Sequence, residues 1–307
     1  MARQAAPAHY PPNFTGADAP FFWIDLEPVP GEIGRSGDTA GMTGRTAMTE
    51  VAIVASAFGA ETIRRDGHAA WIDAARRAGA AAFEVRRELM ADADVNNDAL
   101  AALGARIAGA GLWPVWSTPD TLYRDDGALD EAALRAALDH GRALGARFAK
   151  LQLGAFAGDA HAAQLAAVLA QTGGDGRLRV VVENGQLAQG GTLAQFVALF
   201  RALDNSPEMN ARRAIGMTFD IGNWQWPGEP LLLAAAALAP YVEYVHCKAV
   251  TGTGARRFAT APAADDPLCR AAFAWLPPRA PRGIEFPFDP LRVADDAARY
   301  VGWLAAA

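Results

Sequence analysis

Four side chains in the second half of this chain have the types and the placement to do chemistry together. Glu183, Asp220, His246 and Glu285 each stand where a short apolar run gives way to polar residues: "RVVVENG" at 179–185, "IGMTFDIG" at 215–222, "VEYVHCKAV" at 242–250 and "RGIEFPF" at 282–288. A single acid at such a point is ordinarily a helix cap or a turn former, and a single strand histidine is ordinarily a satisfied core residue. Four on consecutive runs would require that ordinary explanation four times over. Three carboxylates and one imidazole brought to one rim repel one another unless a cation sits among them. Oxygen-rich ligation with one nitrogen suits a hard or borderline divalent ion in an open site: Mn2+ or Mg2+ first, then Co2+ or Zn2+. The remaining histidines fall elsewhere: His9 in the N-terminal stretch, and His68, His140 and His161 in helical patterns.

Such a site needs strands that deliver their ends to one rim. Eight apolar runs qualify: 51–58, 82–88, 113–118, 147–154, 179–185, 215–222, 242–250 and 282–288. Between them lie Ala-rich helical patterns at 67–79, 98–111, 129–145 and 159–173, and a last one at 290–306. Asp130 and Glu131 fall in a first turn, where acids suit the helix dipole. Alternation of strand and helix over residues 48–307 fits a single (β/α)8 TIM barrel, whose chemistry sits at the C-terminal strand ends. An open doubly wound sheet is the competing fold, but "GAGLWPVW" precedes a strand where a phosphate loop would follow one. Residues 1–47, rich in Pro, Gly, Ala and Thr, carry no useful period and read as an irregular N-terminal extension.

Side chains alternate inward and outward along a strand. If Glu183 points in, Val181 does too, while Val180 and Val182 face the helices. The same parity groups Thr218 with Asp220, Tyr244 and Lys248 with His246, and Gly283 with Glu285, and turns Cys247 outward as a small apolar residue. Glu84, Arg86 and Glu88 share one face of the second strand, and Lys150 and Gln152 one face of the fourth. These could bind a substrate's polar groups or form an internal ion-pair layer. Trp116 and Trp224, with Trp226, lie at strand ends or in the loop after the sixth strand, where flat rings could meet a sugar or simply pack the loop. The stretch from Thr251 to Asp266, with Gly252, Gly254, Arg256 and Arg257, is long enough for a lid or a disordered insertion.

The chain resembles the xylose isomerase-like barrel superfamily of sugar isomerases and epimerases, most of all the epimerases associated with 2-ketogluconate utilisation. The resemblance spans about residues 50–305. Its carriers are "FEVRREL" (83–89), "TLYRDDG" (121–127), "VVVENGQ" (180–186), "FDIGNWQWPGEP" (219–230), "YVHCK" (244–248) and "IEFPFD" (284–289). In the related ketose 3-epimerases strands five to eight supply Glu, Asp, His and Glu to one metal, which implies Glu183, Asp220, His246 and Glu285 here. The resemblance also implies that Lys248 binds substrate. Two positions depart from the pattern: Asn223 stands where those epimerases have a second histidine, and only Arg256 and Arg257 could replace an Arg that follows the strand-seven His. The implied activity is metal-dependent isomerisation or epimerisation of a keto-sugar or keto-sugar-acid. Glu183 and Glu285 would move a proton next to a carbonyl, and the cation would stabilise an enediolate. Asn223, Lys248, Trp116, Trp224, Glu84, Arg86 and Lys150 are the candidate substrate-binding residues. A dehydratase of a cyclic polyol ketone or dehydroshikimate on the same barrel is the alternative, and a non-catalytic sugar-binding barrel a further one.

Composition narrows the partners. A net charge of −6 without clustered Lys or Arg speaks against nucleic acid, as it does against the apurinic-endonuclease branch of the same barrel. The sequence has no membrane span and no signal-peptide core; "FFWI" at 21–24 is too short for either. Two cysteines, Cys247 and Cys269, make no disulfide framework. The expected setting is cytoplasmic and the expected partner a small-molecule sugar, with assembly into a homo-oligomer left open.

Overall fold

A computed structural model describes residues 48–171, 176–205, 215–263 and 266–307. The expectation of an irregular extension over 1–47 lies outside the described residues.

Eight parallel strands close into a barrel. They are β1 (Val51–Val54), β2 (Ala82–Arg86), β3 (Trp113–Tyr123), β4 (Phe148–Gly154), β5 (Arg179–Glu183), β6 (Ile215–Asp220), β7 (Val242–Cys247) and β10 (Arg282–Ile284). Around the barrel they run β1-β10-β7-β6-β5-β4-β3-β2. Each strand thus neighbours the strands before and after it in the chain, the order of a (β/α)8 barrel. The two strands skipped in this numbering, β8 (Ala249–Thr251) and β9 (Phe258–Thr260), form a separate antiparallel hairpin.

The helices of the outer layer are α1 (Ala60–Asp66), α2 (Ile72–Arg77), α3 (Asn97–Gly109), α4 (Glu131–Leu144), α5 (Asp159–Gln171), α6 (Leu193–Asp204), α7 (Leu231–Leu238), α8 (Pro267–Trp275) and α9 (Val293–Ala306). None of the described helices is long and apolar enough to cross a membrane. Asn96 and Asp130 cap α3 and α4 by accepting from the backbone N–H of Ala99 and Ala133, at 3.0 and 2.9 Å. Such caps each contribute about 1 kcal/mol. Asp130 is therefore the cap itself rather than a first-turn acid.

Boundaries differ from the sequence reading where apolar runs are uninformative. The first strand stops at Val54, and Ala55–Phe58 turn as a 3-10 helix. A continuous apolar run does not separate strand from buried turn. The single helix expected over 67–79 is a 3-10 turn (His68–Trp71) followed by α2, preceded by α1, because Gly67 at φ 76° breaks the path. Strand β3 runs five residues past its expected end, with a register shift between Ser117 and Thr121. The insertion after β7 is an ordered hairpin: Arg257 Nη1 donates to the Gln225 and Trp226 carbonyls at 2.7 and 3.1 Å, tying it to the loop after β6.

Two apolar regions follow from strand alternation. Outward residues such as Val180, Val182, Met217, Phe219, Val245 and Cys247 pack with the helices in the large core. Ala52, Ala82, Val115, Phe148, Val181 and Tyr244 fill the barrel interior as a separate cluster. There Phe148 and Tyr244 stack at 5.6 Å, which closes the barrel from below. The polar groups described next therefore sit on a dry floor.

Candidate metal centre

Register sets the ligand geometry. Asp220 pairs with His246 across β6–β7, Gly283 with His246 across β7–β10, and Glu183 with Thr218 across β5–β6. Glu285 follows the last residue of β10, with its backbone N–H donated to the Cys247 carbonyl at 3.2 Å. One ligand atom from each of Glu183, Asp220, His246 and Glu285 lies within 4.8 Å of all the others. His246 Nδ1 is 2.7 Å from Glu183 Oε1, 3.1 Å from Glu285 Oε2 and 3.9 Å from Asp220 Oδ2.

Three of the four are fixed by their other atom, and Glu285 is held by both oxygens. Asp220 Oδ1 accepts the backbone N–H groups of Gly222 and Asn223 at 2.8 and 2.9 Å, the role of a turn former. Its Oδ2 is left for the centre, so the local role and the site role coexist in one carboxylate. Glu183 Oε2 accepts from Lys150 Nζ at 2.5 Å and Gln152 Nε2 at 2.6 Å. Glu285 accepts from Arg86 Nη1 on Oε1 and from Lys248 Nζ on Oε2, each at 2.6 Å. His246 Nε2 is 2.8 Å from Glu84 Oε2.

The inward atoms meet the test for a cation. Glu183 Oε1, Asp220 Oδ2 and His246 Nδ1 are buried and crowd together, with Nδ1 2.7 Å from Oε1 and Lys248 Nζ 2.6 Å from Oδ2 as an ion pair. Three buried donor atoms converging on one point match a metal's donor set. Charge agrees. With His246 neutral, as a metal ligand must be, five carboxylates (Glu84, Glu88, Glu183, Asp220, Glu285) face three cations (Arg86, Lys150, Lys248), an excess of two negative charges that a divalent ion would cancel.

Protonation tendencies express the same excess. Burial, then the Glu285 and Glu183 carboxylates, push Asp220 up to about 7 against the pull of Lys248. Burial opposes charge on His246, yet Glu84, Glu285 and Glu183 hold the imidazole well above its ordinary value. Burial likewise opposes charge on Glu183 and Glu285. Lys150 and His246 nonetheless keep Glu183 below the usual carboxylate range, and Lys248 and His246 do so for Glu285.

Several residues named for substrate binding lie elsewhere. Trp116 pairs with Val85, not Glu84, and so faces the helices, its ring edge-on to His140 at 5.3 Å. Trp224 is buried between Phe196 and Phe219. Neither ring can meet a sugar. Glu84 and Lys150 are buried beneath the four ligands, in the ion-pair layer that was the other reading of them. The Lys248 ammonium turns to Asp220 and Glu285 rather than outward. Asn223 Nδ2 donates to the Asn184 carbonyl at 2.8 Å and shapes the β6 loop. Arg86 keeps 18% side-chain exposure, more than any of the charged groups but Glu88, at 30%. Sequence reasoning passed over Asn184, whose side chain bonds both the N–H and the C=O of Asp220, at 2.8 and 3.0 Å. Its place directly after Glu183 was the available signal.

No family model and no curated protein matches the chain. Solved structures do. A xylose isomerase domain protein from Planctomyces limnophilus is 16% identical, covering 84% of this chain and 96% of that one at TM-score 0.58. An L-ribulose 3-epimerase is 19% identical over 84% and 95%, at 0.58. The probable 3-DHS dehydratase AsbF from Bacillus anthracis is 11% identical over 83% and 98%, at 0.57. The chain has the xylose isomerase-like TIM-barrel fold, and its structural neighbours include epimerases and a dehydratase.

Proposed function

We propose that the protein is a divalent-metal-dependent isomerase or epimerase of a keto-sugar, acting by proton transfer at a carbon next to the carbonyl. The observation that carries this reading is the convergence of buried donor atoms, Glu183 Oε1, Asp220 Oδ2 and His246 Nδ1, on one point with Glu285 beside them. Mn2+ or Mg2+ suits those donors. When bound, the ion would supply Lewis-acid polarisation of a carbonyl and charge stabilisation next to it.

The side chains divide the remaining work. In barrel order Glu183 and Glu285 flank Asp220 and His246, so they approach a bound ketose from two sides. Glu183 is the better-placed base: it carries one cationic donor, Lys150 on Oε2, where Glu285 carries two. Both oxygens of Glu285 carry cationic donors, which suits a group that returns a proton under the control of Arg86 and Lys248. Return to the opposite face of the same carbon is epimerisation; return to the neighbouring carbon is isomerisation. Arg86, Lys150 and Lys248 are each engaged by carboxylates, so a neutral ketose suits the site better than a keto-acid. The stacked Phe148 and Tyr244 keep water out from below.

The test is incubation with Mn2+ and a panel of ketoses and keto-acids in D2O, read by NMR. Loss of a C–H signal next to the carbonyl with no water eliminated supports the reading. Water elimination would make the protein a dehydratase. Metal binding without any exchange across the panel would make it a binding barrel.

A further inference from the structure

We infer that Glu84 is a positioning residue that fixes which nitrogen of His246 faces the other three ligands, within a cross-barrel unit built from Glu84, Tyr244 and His246 and seated against Gly283. The inference rests on the metal-centre reading and adds a residue from the opposite half of the barrel.

Glu84 comes from β2, whereas the four candidate ligands come from β5, β6, β7 and the end of β10. Its side chain is fully buried. One oxygen, Oε2, receives both the Tyr244 hydroxyl at 2.9 Å and His246 Nε2 at 2.8 Å. The other, Oε1, lies 3.8 Å from both Lys150 Nζ and Arg86 Nη1. A carboxylate between two cations is ionised and can only accept, so when a cation takes Nδ1 the remaining ring proton is held on Nε2. Gly283 provides the space. A Cβ there would stand 2.4 Å from the Tyr244 hydroxyl and 2.8 Å from His246 Cδ2, displacing both groups that meet Glu84.

The geometry also says what a neutral replacement does. An amide has one acceptor and one donor end. In Glu84→Gln one orientation aims the NH2 at Tyr244 and His246, and the other aims it at Lys150 and Arg86. Neither keeps what the carboxylate does.

The experiment uses the full chain. Mn2+ affinity is measured by calorimetry for wild type, Glu84→Gln and Gly283→Ala. The protonated ring nitrogen of His246 is read by 15N NMR on the Mg2+-loaded, histidine-labelled protein. Wild type should bind Mn2+ with His246 protonated at Nε2. Glu84→Gln should bind Mn2+ roughly 10–100-fold more weakly, the usual cost of losing a ligand's outer partner, and lose the single Nε2–H form. Gly283→Ala should weaken binding in the same way without any change of charge, and it decides the matter if Glu84→Gln does not fold. Wild type failing to bind Mn2+ would sink the metal centre and this inference with it. Wild type binding normally, with affinity and ring protonation unchanged in the variants, would overturn the role of Glu84 alone.

Discussion

Acid should unfold this barrel partly through one histidine outside the metal cluster. His68 is buried, and its Nε2 accepts the backbone N–H of Arg86 at 3.1 Å. Burial, then the charge of Arg86, push its pKa from 6.5 down to about 4. The folded chain therefore binds fewer protons than the unfolded chain between those values. His68 adds no penalty above pH 6.5, and stability is lost as pH falls from there through about 4. The full span corresponds to about 3.4 kcal/mol at 1.36 kcal/mol per unit, of which about 2 kcal/mol is gone at pH 5. His68→Gln removes the titration while leaving an amide oxygen to accept from Arg86. Urea unfolding of both proteins at pH 7.5, 6 and 5 isolates the effect, because every other group titrates in both. Wild type should lose about 2 kcal/mol more than His68→Gln between pH 7.5 and 5. A difference constant to within about 0.5 kcal/mol would show that His68 is free to protonate in the fold, and would refute the reasoning from burial.

Three further outcomes are expected. Mn2+ at about 100 times its Kd should raise unfolding free energy by about 2.7 kcal/mol and Tm by roughly 5–11 °C, reversed by EDTA; a Tm indifferent to Mn2+ would remove the metal centre. Glu183→Gln and Glu285→Gln should each lower turnover in the D2O assay by roughly 10²–10⁴-fold, and normal turnover in either would remove that residue from proton transfer. Gly104→Ala should destabilise the fold by about 1–3 kcal/mol in urea melts, because its Cβ would fall 2.0 Å from the Leu144 carbonyl oxygen where α3 meets α4; unchanged stability would show that the two helices can separate freely.

The barrel was legible because buried parallel strands announce themselves as apolar runs, and eight of them with helical spacers leave few architectures. The convergence of Glu183, Asp220, His246 and Glu285 was legible for a related reason: each breaks an apolar run at its end. Parity along a strand also gave Val181 and Tyr244 to the interior and Cys247 to the helix side. What sequence did not give was depth and register between strands. Trp116 stands near the end of its apolar run, but only its pairing with Val85 shows that it faces away from the mouth. Lys248 shares the face of His246, yet nothing in the sequence says that its ammonium turns back onto Asp220 and Glu285. The hairpin after β7 was illegible because three-residue strands carry too little period to read.

The two halves of the barrel carry different parts of one electrostatic problem. The second half presents acids and an imidazole; the first half answers with Arg86 and Lys150, and with Glu84 against His246. Ionic groups this deeply buried ordinarily cost more in desolvation than their pairing returns, and well-packed apolar residues would do as well for stability. Their arrangement is instead explained by the atoms left over. Lys150 and Gln152 occupy one oxygen of Glu183, the turn after β6 occupies one oxygen of Asp220, and Glu84 occupies one nitrogen of His246. Glu183, Asp220 and His246 are each pinned by an outer atom so that the inner atom has nowhere to turn, and Glu285 is held by both oxygens. Most of that preorganisation comes from the strands that bear no ligand, and it is why substitutions on β2 and β4 should disturb the centre as much as changes to the ligands themselves.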